Sequence, residues 1–134
     1  MQRKGFWFID KINQWIESSK LDYNIAKYLF ENYYPTPIEI ICYHCQQSAE
    51  KAIKTLFIKF KTNIGIPKTH DLSFILNQLK NDLKIDEKFY DYSDTLTPYG
   101  ISVRYPHELF LTKKEAEIAL KYTKEIIDWV ENYI

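Results

Sequence analysis

Residues 42–45 read Cys-Tyr-His-Cys, the C-x-x-C spacing of dithiol redox centres with an imidazole inside it. A working dithiol needs lowered thiol pKa values, which a helix N-terminus supplies through its unpaired N–H groups and dipole. Here Pro37 opens the helical pattern, so the cysteines fall about a turn or more inside it. Side chains three apart on a helix hold their Cβ atoms ~5–6 Å apart, whereas a disulfide needs ~3.5–4.5 Å. Zinc wants four ligands, or three and a water, and His44 is the one further ligand type nearby. The spacing therefore predicts two small buried hydrophobes and no metal.

With the cysteines turned inward, His44, Gln47, Lys51 and Lys54 recur at intervals of three, four and three, which puts them on one face. That face is either a solvated surface or a set of donors for a phosphate or a partner. A second candidate lies in Tyr99-Gly-Ile-Ser-Val-Arg104-Tyr105-Pro106-His107, where Arg104 is the only arginine beyond residue 3. Its planar fork suits phosphate oxygens or a carboxylate. The structural alternative is that Arg104 pairs with Asp22, or with an acid of the fourth helix, and pins the loop.

Adjacent at a helix start, His70 and Asp71 read as capping residues rather than an acid/base pair. Together with Asp22 they are expected to be structural polar groups. No Ser, His and Asp have nucleophilic spacing. The glycines stand alone at 5, 65 and 100, so no phosphate-cradling loop exists and no cofactor is implied.

These residues need helices to position them, and helical periodicity dominates the chain. From Trp15 to Tyr33, the residues Trp15, Ser19, Asp22, Ile25, Ala26, Leu29 and Tyr33 form a stripe. Asp22 is its odd member, a carboxylate among apolar neighbours. Tyr34-Pro35-Thr36-Pro37 then breaks the chain, and Pro37 suits the first turn of a second helix. That helix is predicted to run to about Lys61, burying Ile38, Ile41, Cys42, Cys45, Ala49, Ala52, Ile53, Leu56 and Phe60.

Thr62 to Lys68 reads as a loop, after which Thr69 or Asp71 caps a short helix carrying Leu72, Ile75, Leu76 and Leu79. A further helix begins near Asp86, with Ile85, Phe89, Tyr92 and Leu96 in phase. Thr97 to Leu111 lacks any period, and its length marks it as a functional loop. Thr112 and Glu115 form a capping box for the last helix, with Ala116, Ala119, Leu120, Thr123, Ile127, Val130 and Ile134 inward. The fold class predicted is all-α, an antiparallel up-and-down bundle.

At 134 residues the chain is the size of one domain. Its 11 Tyr, 8 Phe and 3 Trp give the apolar payload of a folded chain, and 3 Gly with 5 Pro are too few for an all-β fold. Lys plus Arg and Asp plus Glu both number 18, which excludes a global field for polyanions and leaves local contacts. Locally, Lys51, Lys54, Lys59, Lys61 and Lys68 make the end of the second helix basic. Asp82, Asp86, Glu87, Asp91 and Asp94 make the fourth acidic. The apolar stretch from Gly5 ends at Asp10, unlike a secretory signal, and no run is long enough to span a membrane. A cytoplasmic location and no membrane partner are expected.

Three motifs in order carry a resemblance: His44-Cys-Gln-Gln47-Ser-Ala-Glu50-Lys51-Ala-Ile-Lys54, then His70-Asp71-Leu72, then Arg104-Tyr105-Pro106 before the last helix. Together they resemble the HEPN domain family over most of the chain, with residues 1–12 as an N-terminal extension of a single domain. The resemblance implies four main helices plus a short additional one, usually as a homodimer. An aromatic surplus that includes Trp7, Phe8, Tyr28 and Tyr43 suits a dimer. Family members are often paired with a minimal nucleotidyltransferase as toxin and antitoxin, or associated with nucleotides, or cleave RNA without metal.

In cleaving members an Arg is followed by four to six residues and a His. Here positions 109–111 are Leu, Phe and Leu, and His107 follows Arg104 after two residues. Pro106 restricts the path by which His107 could approach. Binding of nucleotide or RNA phosphates through Arg104, Tyr105, His44, Lys51 and Lys54 therefore ranks first. Cleavage by Arg104 with His107, or a purely structural dimerisation role, are the alternatives.

Overall fold

The computed structural model describes the backbone of residues 2–102 and 111–134, and the side chains of residues 7, 9–100 and 111–134. Helices follow in the order α1 (Gln2–Asn32), α2 (Ile38–Phe60), α3 (Leu72–Asn77), α4 (Glu87–Leu96), α5 (Tyr99–Ser102) and α6 (Lys113–Glu131). There is no strand among the described residues, and the all-α class predicted from periodicity is the one observed. Residues 2–12, expected as an extension, continue α1 as one helix.

α2 is the central rod and packs against each of the other five helices. Residues 52–58 are buried without interruption, as a helix surrounded by neighbours requires. Its crossing with α1 is close because small residues meet there. Ser19 Oγ donates to the Ser48 carbonyl at 2.7 Å and Ser48 Oγ donates to the Ser19 carbonyl at 2.7 Å. Both serines are fully buried, so each hydroxyl finds the partner that a desolvated donor needs.

The helix starts follow their capping chemistry. The Asp71 carboxylate accepts from Phe74 N–H at 3.2 Å and that of Asp86 from Lys88 N–H at 3.0 Å. At α6 the Glu115 carboxylate accepts from Thr112 N–H at 2.9 Å and from the Thr112 hydroxyl. α4 is fixed to α6 by two stacked aromatic pairs, Phe89 on Trp129 at 4.4 Å and Tyr92 on Tyr122 at 4.0 Å between ring centroids.

Three expectations are corrected. Tyr33 is 58% exposed and Ile134 40% exposed, because each lies past the end of the helix whose period was extended to it; Ile16 and Ile126 are buried instead. The aperiodic segment from Thr97 begins with a helical turn, α5. The polar stripe of α2 is not simply a solvated face, since Lys54 is only 6% exposed.

Candidate functional site

Asp22, on α1, explains its place among apolar neighbours by what it faces on α2. Its Oδ1 lies 3.1 Å from His44 Nδ1, and its Oδ2 accepts from Lys51 Nζ at 2.6 Å. Lys51 Nζ also donates to Ser18 Oγ at 2.8 Å. A carboxylate only accepts, so the His44 proton sits on Nδ1 and a neutral ring keeps Nε2 as a base.

One turn further along α2, Glu50 gathers a second cluster. Its Oε1 lies 2.8 Å from His70 Nδ1 and 3.0 Å from Gln46 Nε2, and its Oε2 accepts from Lys54 Nζ at 3.0 Å. Gln46 Oε1 in turn accepts from Gln47 Nε2 at 2.7 Å. Burial pushes the Glu50 carboxyl up, but the hydrogen bonds from Gln46, His70 and Lys54 outweigh it and hold the carboxyl below its ordinary value of 4.5. Gln46 Nε2 also reaches the His70 carbonyl at 3.5 Å, which ties the segment before α3 to this cluster.

The sequence-predicted residues are thus partly assembled. Asp22, His44 and Lys51 meet in one cluster, Lys54 and His70 in the next, and the Asp71 carboxylate caps α3. Arg104, Tyr105, Pro106 and His107 lie outside the described residues. The segment that leads to them does not: an ideal Cβ on Gly100 would stand 2.9 Å from Gln46 Cδ and 3.0 Å from its Oε1. α5 therefore rests against the Glu50 cluster, and a side chain at position 100 would require Gln46 to shift. Periodicity missed Glu50, Gln46 and Ser18. The signal for Glu50 was its i,i+4 relation to both Gln46 and Lys54.

The cysteines take no part. Both are free thiols and fully buried. Burial, with added repulsion from Glu39 and Glu115, pushes Cys42 up to about 12; burial raises Cys45 too, against a weaker opposing bond from Thr123. A thiol attacks as its thiolate, so in the native protein a disulfide-exchange reagent at pH 8 reacts with neither cysteine during the time in which the urea-unfolded chain titrates both. Rapid labelling of the native protein would contradict the buried placement.

The HEPN domain family matches residues 12–133. The chain belongs to that family. Among curated proteins this HEPN domain is similar to one from Methanocaldococcus jannaschii with the name "Putative toxin MJ1304". The two are 26% identical over 151 aligned positions, which cover 100% of this chain and 94% of the relative. Among solved structures, TT1696 from Thermus thermophilus superposes with a TM-score of 0.76 at 25% identity, over 92% of this chain and 98% of that one. An HEPN domain protein from Thermotoga maritima gives 0.68 at 25% identity, covering 90% and 96%. An archaeal HEPN homologue, ST0689, gives 0.70 at 23% identity over 91% and 96%, a likeness of fold. Among the described residues no helix is long and apolar enough to cross a membrane.

Proposed function

We propose that this HEPN domain is a toxin-type module that acts by binding: a homodimer that holds nucleotide or RNA phosphates and works with a minimal nucleotidyltransferase. One observation carries the reading. The close approach of Gly100 to Gln46 brings α5, which precedes Arg104 in the chain, against the turn of α2 that holds Gln46 and Glu50. Arg104 and Tyr105, which follow α5 in the chain, are the proposed donors to phosphate, with His44 26% and Lys51 31% exposed on α2 as further ones. The toxin name of the relative from Methanocaldococcus jannaschii supports the same class. Exposed Trp7 and Tyr28 offer apolar surface for the second copy, which light scattering measures directly.

Calorimetric titration with ATP and with a short RNA tests the reading, beside co-purification with a nucleotidyltransferase encoded next to it. A charge-assisted hydrogen bond contributes about 1.5–3 kcal/mol, so Arg104→Ala weakens phosphate binding about tenfold or more. Silence from both ligands and no co-purifying partner would end the proposal.

A second reading, metal-independent RNA cleavage, is favoured by the two imidazoles whose Nδ1 atoms face carboxylates, since general-base work needs such orientation. Total RNA incubated with the protein and EDTA decides between them. Intact RNA supports binding. Cleavage that disappears in Arg104→Ala and in one of His107→Ala, His44→Ala or His70→Ala supports the nuclease.

A further inference from the structure

Between α1 and α2, beside the Asp22–Lys51 ion pair, a cleft of about 260 Å³ is lined by Gln14, Trp15, Ser18, Glu50 and Lys51. The cleft is smaller than the ~300–1,000 Å³ that hold drug-sized ligands, so a single ring system fits. Its walls join the groups that such a ring with a charged tail would use. Trp15 offers an aromatic surface. Lys11, outside the lining itself, holds its Nζ over one face of that ring, 5.9 Å from its centre, and Lys51 supplies a second ammonium in the wall. Asp22 and Ser18 take two of the three Lys51 donors, which leaves one for a ligand. The Gln14 amide gives both a donor and an acceptor for ring-edge atoms.

We infer that this cleft is a stacking subsite for a nucleobase: a flat heteroaromatic ring lies on Trp15 while its attached phosphate meets Lys51 and Lys11. The inference rests on the nucleotide-binding reading above and adds where the base goes. An aromatic face with ammonium groups nearby takes any base by its π face, and so gives affinity with little choice among bases.

The full chain is titrated with AMP and with ribose 5-phosphate, which carries the phosphate without the ring. AMP is expected to bind more tightly than ribose 5-phosphate and to quench tryptophan emission. Trp15→Phe keeps an aromatic platform and removes the reporter, leaving Trp7 and Trp129; it retains AMP binding and loses the quench. Trp15→Leu weakens AMP about 5- to 150-fold, the usual range for one stacked base, and leaves ribose 5-phosphate unchanged. AMP binding that is untouched by Trp15→Leu, or quenching that persists in Trp15→Phe, would overturn the stacking site alone. A parent protein that binds neither AMP, ATP nor RNA would overturn the broader reading and this one with it.

Discussion

Glu50→Ala lowers the unfolding free energy by about 3–5 kcal/mol, the cost of leaving one partner of a buried ion pair uncompensated. The partner is Lys54, whose side chain is 7% exposed against 10% for Glu50, and the donors of Gln46 and His70 lose their acceptor as well. Set against a typical domain stability of about 5–15 kcal/mol, the loss is large and a urea titration reads it as a lower midpoint. Glu50→Leu combined with Lys54→Met recovers most of it, because two apolar groups leave no orphaned charge. A single substitution that costs under about 1 kcal/mol, the range of an exposed pair, would contradict the buried network.

The same carboxylate predicts a pH dependence. Its folded-state pKa lies below 4.5, so the native protein binds fewer protons than the unfolded chain as the pH falls past that value. The stabilisation is present above pH 4.5 and is lost as acid titrates the carboxyl in the folded state. Acid denaturation of the parent therefore has a steeper slope below pH 4.5 than that of Glu50→Gln, and equal slopes would assign the acid sensitivity elsewhere.

Gly100→Ala is the second large effect, and here two contributions oppose each other. Gly100 sits within α5, where alanine gains up to about 1 kcal/mol in helix propensity. The new Cβ would meet Gln46 Cδ at 2.9 Å, and overpacking costs about 1–3 kcal/mol. Gln46 has little room to yield, since it is fully buried and bonded to Glu50, Gln47 and the His70 carbonyl. The net effect is destabilisation. In a Gln46→Ala background the clash is gone and Gly100→Ala becomes neutral or stabilising, a sign change that a double-mutant cycle measures. Stabilisation in the parent background would mean that α5 does not rest on Gln46.

Local rules were readable wherever one element supplies both partners. The Thr112–Glu115 box, the Asp71 and Asp86 caps and the inward stripe of α2 each depend on spacing within one helix, and each forms. Period extended past a helix end misplaced Tyr33 and Ile134, because periodicity carries no stop signal of its own. The α2 face that holds His44, Lys51 and Lys54 was legible as polar. Its division into an Asp22 cluster and a Glu50 cluster was not, since the carboxylate of one and the imidazole of the other come from α1 and from the turn before α3.

By itself the sequence determined that the chain is helical, where its caps lie, that its cysteines point inward and that it resembles the HEPN family. Spacing along one chain segment and the hydrogen-bonding needs of helix ends suffice for the first three, and the resemblance rests on the motifs at 44–54, 70–72 and 104–106. Only the tertiary structure decided that Lys54 is enclosed, that Asp22 joins His44 to Lys51, that Gly100 touches Gln46 and that Trp15 lines a cleft. Each depends on which face of one rod meets which face of another, and a helix's own period describes its faces without naming the neighbour that covers them.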